Sequence, residues 1–160
     1  STRYWWLMIK ITKNKFNLEE EFLKIKDNSN GGYSFFLGTV REDIKNEKNK
    51  IQSINLECYE SLAIKQLSDI RSQAIKNWHL NDCLIIHRIG KLSLGEKIVL
   101  IITASAHREN AIRAGEFIID NLKVNVALWK FNVFNGEEEP VNFKDKDKEK
   151  FLKWSDVINN

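Results

Sequence analysis

A chain of 160 residues with 42% hydrophobic and 29% charged side chains is long enough for one domain with a sizeable core, and too apolar for global disorder. Its formal net charge is only +3, and its lysines are interleaved with Glu and Asp, so no broad basic field for a nucleic-acid backbone is implied. The longest apolar run, residues 98–102, is far too short to span a bilayer, and residues 5–11 are too brief and too interrupted by Lys10 to act as a leader. The expected location is the cytoplasm.

Residues 4–11, rich in aromatic and branched side chains, predict a strand. Asn17 followed by Glu20 reads as a capping box that opens a short helix to about Lys26. The turn residues of 27–32 predict a loop, and 33–40 a strand with Tyr33, Phe35, Leu37 and Thr39 on one face and Arg41 just beyond its end. Residues 42–50 are polar and charged and predict a surface loop. A strand over 51–57 precedes a helix over 61–77, whose Ala63, Leu67, Ile70 and Ala74 recur at helical spacing. A strand over 84–89, a turn within 90–95 and a strand over 97–105 follow, and then a helix from about Glu109 to Lys123.

The last clear strand is predicted at 127–134, closed by Asn135-Gly136, after which Glu137 to Pro140 leads away. Alternating Lys with Asp or Glu over 144–150 predicts a solvated helix, and Phe151, Leu152 and Trp154 could dock the tail on the body or on a partner. Strands and helices mix without strict βαβ alternation, so the expected class is α+β in a single domain, 1–160, with a core of about 4–135 and a C-terminal tail of 136–160.

Cys58 and Cys83 lie 25 positions apart, with no CxxC pair and no clustered histidines, so a zinc site is not expected. Both read as packing residues, although a thiol beside a base or cation could be a nucleophile.

The informative chemistry is a set of cations at the ends of elements. Lys123 falls at the edge of the buried face of its helix, near a C-terminus that favours a cation on electrostatic grounds alone. His107 and Arg108 come just before that helix, where free N–H groups suit an anion, so Arg108 there needs an anionic partner. In the last strand Leu128, Lys130 and Asn132 share one face, and Trp129, Phe131 and Val133 the other. Taken singly, each of these cations is equally well explained as a surface residue.

Six segments in order carry more. Gly38-Thr39-Val40-Arg41, His87-Arg88-Ile89-Gly90, Gly95-Glu96, Ser105-Ala106-His107-Arg108, Asn121-Leu122-Lys123 and Leu128-Trp129-Lys130 resemble the large, catalytic subunit of molybdopterin synthase, the MoaE family. The likeness runs colinearly over about 31–134. It implies an α/β hammerhead-like mixed sheet with packed helices and an additional small antiparallel β subdomain. It also implies a sulfurtransferase that converts cyclic pyranopterin monophosphate to the molybdopterin dithiolene. Sulfur would arrive as a thiocarboxylate on the Gly-Gly C-terminus of a small ubiquitin-like carrier subunit, with no metal or cofactor of the synthase's own.

Carried onto this chain, the resemblance makes Lys123 and Lys130 the catalytic pair. Substrate binding would fall to these two lysines with Thr39, Val40, Arg41, His107, Arg108, Phe131 and Asn132. Several fixed cations suit two anionic reactants, and a lysine among cations and apolar walls could exchange protons. Asn132 stands where the family often has an acidic residue. Thr39 stands where it has lysine or threonine, which leaves one cation fewer.

A helix over 109–123 separates His107-Arg108 from Lys123 by about 22 Å at 1.5 Å per residue, so no small substrate reaches both ends within one copy. The expectation is a homodimer with composite sites, and a heterotetramer with two carriers. Two other readings predict different ligands. A non-catalytic anion or nucleotide sensor would bind phosphate ligands without sulfur transfer. A single-stranded RNA binder would use Tyr33, Phe35 and Trp129 with nearby lysines, a weak case given the poor lysine clustering.

Overall fold

A computed structural model describes residues 5–42, 50–141 and 145–158. Two four-stranded sheets organise it. The first has the order β1-β4-β6-β2, from β1 (Ile9–Thr12), β4 (Asp82–Arg88), β6 (Lys97–Ser105) and β2 (Gly32–Thr39). β1 is parallel to β4, and the other pairings are antiparallel. The second sheet is antiparallel throughout, in the order β5-β3-β7-β8, from β5 (Gly90–Ser93), β3 (Ser53–Cys58), β7 (Leu128–Phe134) and β8 (Glu137–Val141). This is the expected α+β arrangement, with a small antiparallel subdomain beside a mixed sheet.

Alternation along β4 and β6 divides the core. Cys83, Ile85, Val99 and Ile101 point to α3 (Glu60–Trp78) and α4 (Arg108–Asn125), where Leu67, Ile70, Phe117 and Ile118 meet them. Leu84, Ile86, Leu100 and Ile102 point the other way, onto Met8, Ile25 and the partly buried Phe22 of α2 (Leu18–Ile25). Sheets covered on both faces have strands apolar at every position, which is why both read as continuous runs. Asn17 caps α2 as predicted, its Oδ1 accepting from the Glu20 N–H at 3.0 Å.

Three expectations are corrected. Residues 4–11 do not form one strand. Trp5–Met8 is a single helical turn (α1), only Ile9–Thr12 pairs with β4, and Tyr4 lies outside the described residues. A short apolar run carries no period that separates helix from strand. Residues 90–95 are not simply a turn. Gly90, at φ +87°, is a corner at which the chain leaves the first sheet and enters β5 of the second. Nor does the chain leave after Gly136. Asn135 and Gly136, at φ +53° and +77°, form a two-residue hairpin into β8. Its glutamates suit the margin of a sheet, where charge keeps other strands away.

Most of the predicted loop at 42–50 lies outside the described residues. The alternating charged segment is helical, α5 (Asp145–Leu152), and α6 (Ser155–Ile158) follows. Trp154 docks on the body: it is buried edge-on against Trp78 and Phe117, and its Nε1 donates to Asp120 at 2.9 Å. No helix among the described residues is long and apolar enough to cross a membrane.

Candidate functional site

Val40 anchors one part of the site. Its N–H donates to the Glu96 carbonyl at 2.9 Å, and its carbonyl accepts from the Gly95 N–H at 2.7 Å. The buried Arg88 holds the turn that supplies these partners, donating to Glu96 at 3.2 Å and to the Lys13 carbonyl at 3.1 Å. The Ser93 N–H and then Arg88 hold the Glu96 carboxyl below the usual carboxylate range. The Arg88-Ile89-Gly90 and Gly95-Glu96 segments are therefore supports of the site rather than parts of it.

The Val40 side chain is buried with Ile54, Leu56 and Leu92. In the β3–β7 ladder Leu56 lies opposite Lys130 and Ile54 opposite Asn132, so both β7 residues share the face of that cluster. Lys130, at the end of this face, is exposed, whereas Asn132 is only 7% exposed and its Oδ1 has no hydrogen-bond partner among the described residues. Phe131 projects to the opposite face, half-buried, beside the exposed Trp129. Thr39 and Arg41 flank Val40 and are exposed.

Lys123 lies in the last turn of α4, also exposed. Immediately after it, Val124 and Asn125 line a cleft of about 440 Å³ together with Lys130, Phe131 and Pro140. Gln66 at its edge fixes the chain between α4 and β7, accepting from the Ala127 N–H at 2.7 Å. The same cleft is thus lined by Lys130 and by the two residues that follow Lys123. Pro140 and Val141 line it as well. They were missed because the acidic run before them hid a strand, and only the Asn135-Gly136 pair pointed to it.

His107 and Arg108 are elsewhere. His107 is the N-cap of α4, with no side-chain cap bond, and Arg108 opens the helix; both are exposed. The turn before them lies against the start of β2. The Gly31 N–H donates to the Ser105 carbonyl at 3.0 Å, a Cβ on Gly31 would lie 2.2 Å from the Ala106 oxygen, and one on Gly32 would lie 2.9 Å from the Arg108 Cα. Only glycine permits that approach. Because α4 is continuous from Arg108 to Asn125, its two cationic ends are about 22 Å apart in one chain.

The thiols are not activated. Burial pushes Cys83 up to about 12, and burial with Glu60 nearby raises Cys58, so neither is a ready thiolate at neutral pH. No group of three or more His, Cys, Asp or Glu among the described residues could hold a metal ion.

Comparison with known proteins bears on the fold and the family. A family model described as "MoaE protein" matches residues 11–125. The molybdopterin synthase catalytic subunit of Pyrococcus abyssi is 37% identical over 118 residues, covering 74% of this chain and 78% of its own. The crystal structure of molybdopterin synthase from Staphylococcus aureus superposes with a TM-score of 0.78 at 28% identity, covering 83% of this chain and 96% of that one. A complex of subunits 1 and 2 of the molybdopterin-converting factor from Helicobacter pylori shares the fold, with a TM-score of 0.71 at 20% identity over 86% of this chain and 92% of that one.

Proposed function

The chain belongs to the MoaE family, and on that premise we propose that it is the catalytic subunit of a molybdopterin synthase. It transfers sulfur from the thiocarboxylated C-terminus of a small ubiquitin-like carrier to cyclic pyranopterin monophosphate, forming the dithiolene used in molybdenum cofactor biosynthesis. The observation that carries this reading is the cleft between the Lys123 turn and Lys130. Lys130 lines it and Lys123 directly precedes its Val124 wall, which puts two cations about a place where two anions must meet.

In this reading Lys123 engages the reacting centre and moves the proton, while Lys130 orients the anions and stabilises developing negative charge. Both are exposed in a lone chain, so the walls that would dry the site come with the carrier. Thr39, Val40 and Arg41 line the substrate side, with Phe131 and Asn132 completing it. Asn132 contributes a neutral acceptor, its buried Oδ1, where relatives of the family often place an acid. The chemistry uses no resident metal or cofactor. Two free cysteines suit a reducing compartment, in keeping with a cytoplasmic enzyme.

Since one chain cannot place His107 and Arg108 near Lys123, the site is completed by those residues of a second copy. The working assembly is a homodimer carrying two carriers, a heterotetramer.

The test mixes the protein with thiocarboxylated carrier and cyclic pyranopterin monophosphate and follows the pterin product by mass spectrometry. Lys123→Ala is expected to abolish conversion while remaining folded and carrier-bound; normal turnover would reject the role given to it. Phosphate-ligand binding without any sulfur transfer by the unaltered protein would instead make the domain a sensor. Sharing of the site has its own readout. Arg41→Ala and Arg108→Ala are each expected to be defective, yet co-refolded they should regain about a quarter of normal turnover, because half of the chains enter mixed dimers and one of the two sites there is intact. Failure to complement would mean that each chain builds its site alone.

A further inference from the structure

The lining of the cleft beside Lys130 is mostly apolar, with Val126, Leu128, Phe131 and Val141 among it. Its Val124–Asn125 wall is the last turn of α4, where carbonyl groups are left over and the helix macrodipole is negative. Acceptors are therefore plentiful, and donors are fewer. One of those donors is the side-chain amide of Gln66, which α3 brings to the cleft from outside both cation-bearing elements.

The fold decides which way that amide turns. Gln66 Oε1 accepts from the Ala127 N–H at 2.7 Å, and because a peptide N–H can only donate, the oxygen and not the nitrogen must face the chain. The Ala127 carbonyl is held as well, accepting from the Tyr59 N–H at 3.4 Å. Gln66 Nε2 is left with two N–H groups that bond to no described residue, on a half-buried side chain that lines the cleft. Asn125 is fixed in the opposite sense. Its Nδ2 donates to Asn121 Oδ1 at 2.7 Å, which leaves its own Oδ1 to accept. Two side chains of one cleft thus offer a donor and an acceptor, the complement of a peptide group.

We propose that Gln66 and Asn125 grip the main chain of the carrier's C-terminal tail, Gln66 Nε2 donating to a tail carbonyl and Asn125 Oδ1 accepting from a tail N–H. This rests on the sulfur-transfer reading above and names residues of this chain that hold the sulfur donor rather than the pterin. A tail that ends in Gly-Gly has no side chains there to recognise, so its peptide groups are what a cleft can read. A pterin ring also carries donors and acceptors, but the substrate-side residues are elsewhere. None of Thr39, Val40, Arg41, His107 and Arg108 lines this cleft.

Two variants of Gln66 separate gripping a tail from bolting the chain before β7. Gln66→Glu keeps an oxygen for the Ala127 N–H and removes both donors, whereas Gln66→Met removes the oxygen too. Calorimetric titration compares the full carrier with a carrier shortened by its two terminal glycines. Gln66→Glu and Asn125→Ala are each expected to bind the full carrier roughly 3- to 10-fold more weakly, the size expected for one lost hydrogen bond. Both should bind the shortened carrier as the unaltered protein does. In turnover, KM for the carrier should rise while KM for cyclic pyranopterin monophosphate stays the same. Gln66→Met should add a lower melting temperature, since the Ala127 N–H loses its partner. Unchanged carrier affinity in Gln66→Glu would reduce Gln66 to a bolt. A shift in the KM of the pterin instead would assign the cleft to the pterin, and a loss that persists with the shortened carrier would place the contact on the carrier's body. Each of these three overturns the grip and leaves the sulfur-transfer reading standing. An unaltered protein that neither binds the carrier nor forms the dithiolene overturns both.

Discussion

The two sheets differ in how they are covered, and the difference separates stability from chemistry. β4 is buried at every one of its seven positions, because helices lie on both faces of the first sheet. The second sheet packs one face on the Val40–Ile54–Leu92 cluster and leaves the other partly open, with Trp129 52% exposed. The first sheet and α4 form a rigid frame that sets where Arg108 and Lys123 stand. The second sheet holds Lys130 at the end of a half-covered face, within reach of a ligand. The cation that β4 does carry, Arg88, is buried and committed to Glu96 and the Lys13 carbonyl, whereas Lys130 on β7 is exposed.

That contrast breaks down if exposed and buried substitutions fail to separate into two kinds of effect. Lys130→Ala is expected to lower turnover by roughly 10²–10⁴-fold, the range for a lost acid–base or charge-stabilising group. Its melting temperature should be unchanged, because the side chain is exposed. Phe117→Ala should do the reverse. This ring is fully buried against Trp78 and Trp154, so truncation is expected to cost about 3–5 kcal/mol in chemical denaturation. The surviving folded fraction should keep its activity. Loss of turnover in proportion to folded protein would show that the frame also tunes the chemistry.

A smaller effect is expected at the tail. Trp154→Phe keeps most of the apolar contact but removes the bond from Nε1 to Asp120, leaving a carboxylate that is only 9% exposed with one donor fewer. Lys153 still reaches Asp120 at 3.4 Å. A loss of about 1–2 kcal/mol by denaturant titration, with unchanged turnover, would place the tail wholly on the stability side. Loss of carrier affinity instead would give the tail a part in assembly.

The sequence made the first sheet and its helices plain, since burial on both sides leaves continuous apolar runs and regular stripes. Ala63, Leu67, Ile70 and Ala74 are all buried as their spacing requires. It could not reveal Arg71, which looks like a surface residue of α3 yet is buried, donating to the Cys83 carbonyl at 2.7 Å and to Asp82 at 2.8 Å. A partner supplied from 11 positions away leaves no local trace. The second sheet was harder for the same reason. The walls around Lys130 come from β3, β5 and Val40, joined by pairings distant in sequence, and β8 is built of residues with little strand preference. Alternation alone placed Lys130 and Asn132 on one face and Phe131 on the other, and helix rise alone separated Arg108 from Lys123. Those two regularities are local, and the fold keeps both.

The joint between the sheets gives the mildest effect and the sharpest sign. His87, at the end of β4 just before the Gly90 corner, is buried, with Nδ1 2.8 Å from the Arg88 carbonyl. Burial pushes its imidazole below the ordinary value, the carbonyl contact only partly offsetting this. The unfolded chain therefore binds a proton more readily than the native one as pH falls through about 6.5. The stability contributed by neutral His87 is fully present above that pH and is lost progressively below it, with a limiting slope of about 1.4 kcal/mol per pH unit. Urea unfolding from pH 7.5 to 5 should show this decline, and His87→Gln should flatten it above the range where carboxylates titrate. A decline that persists unaltered in His87→Gln would move the pH sensitivity away from the joint, to groups outside the buried sheet.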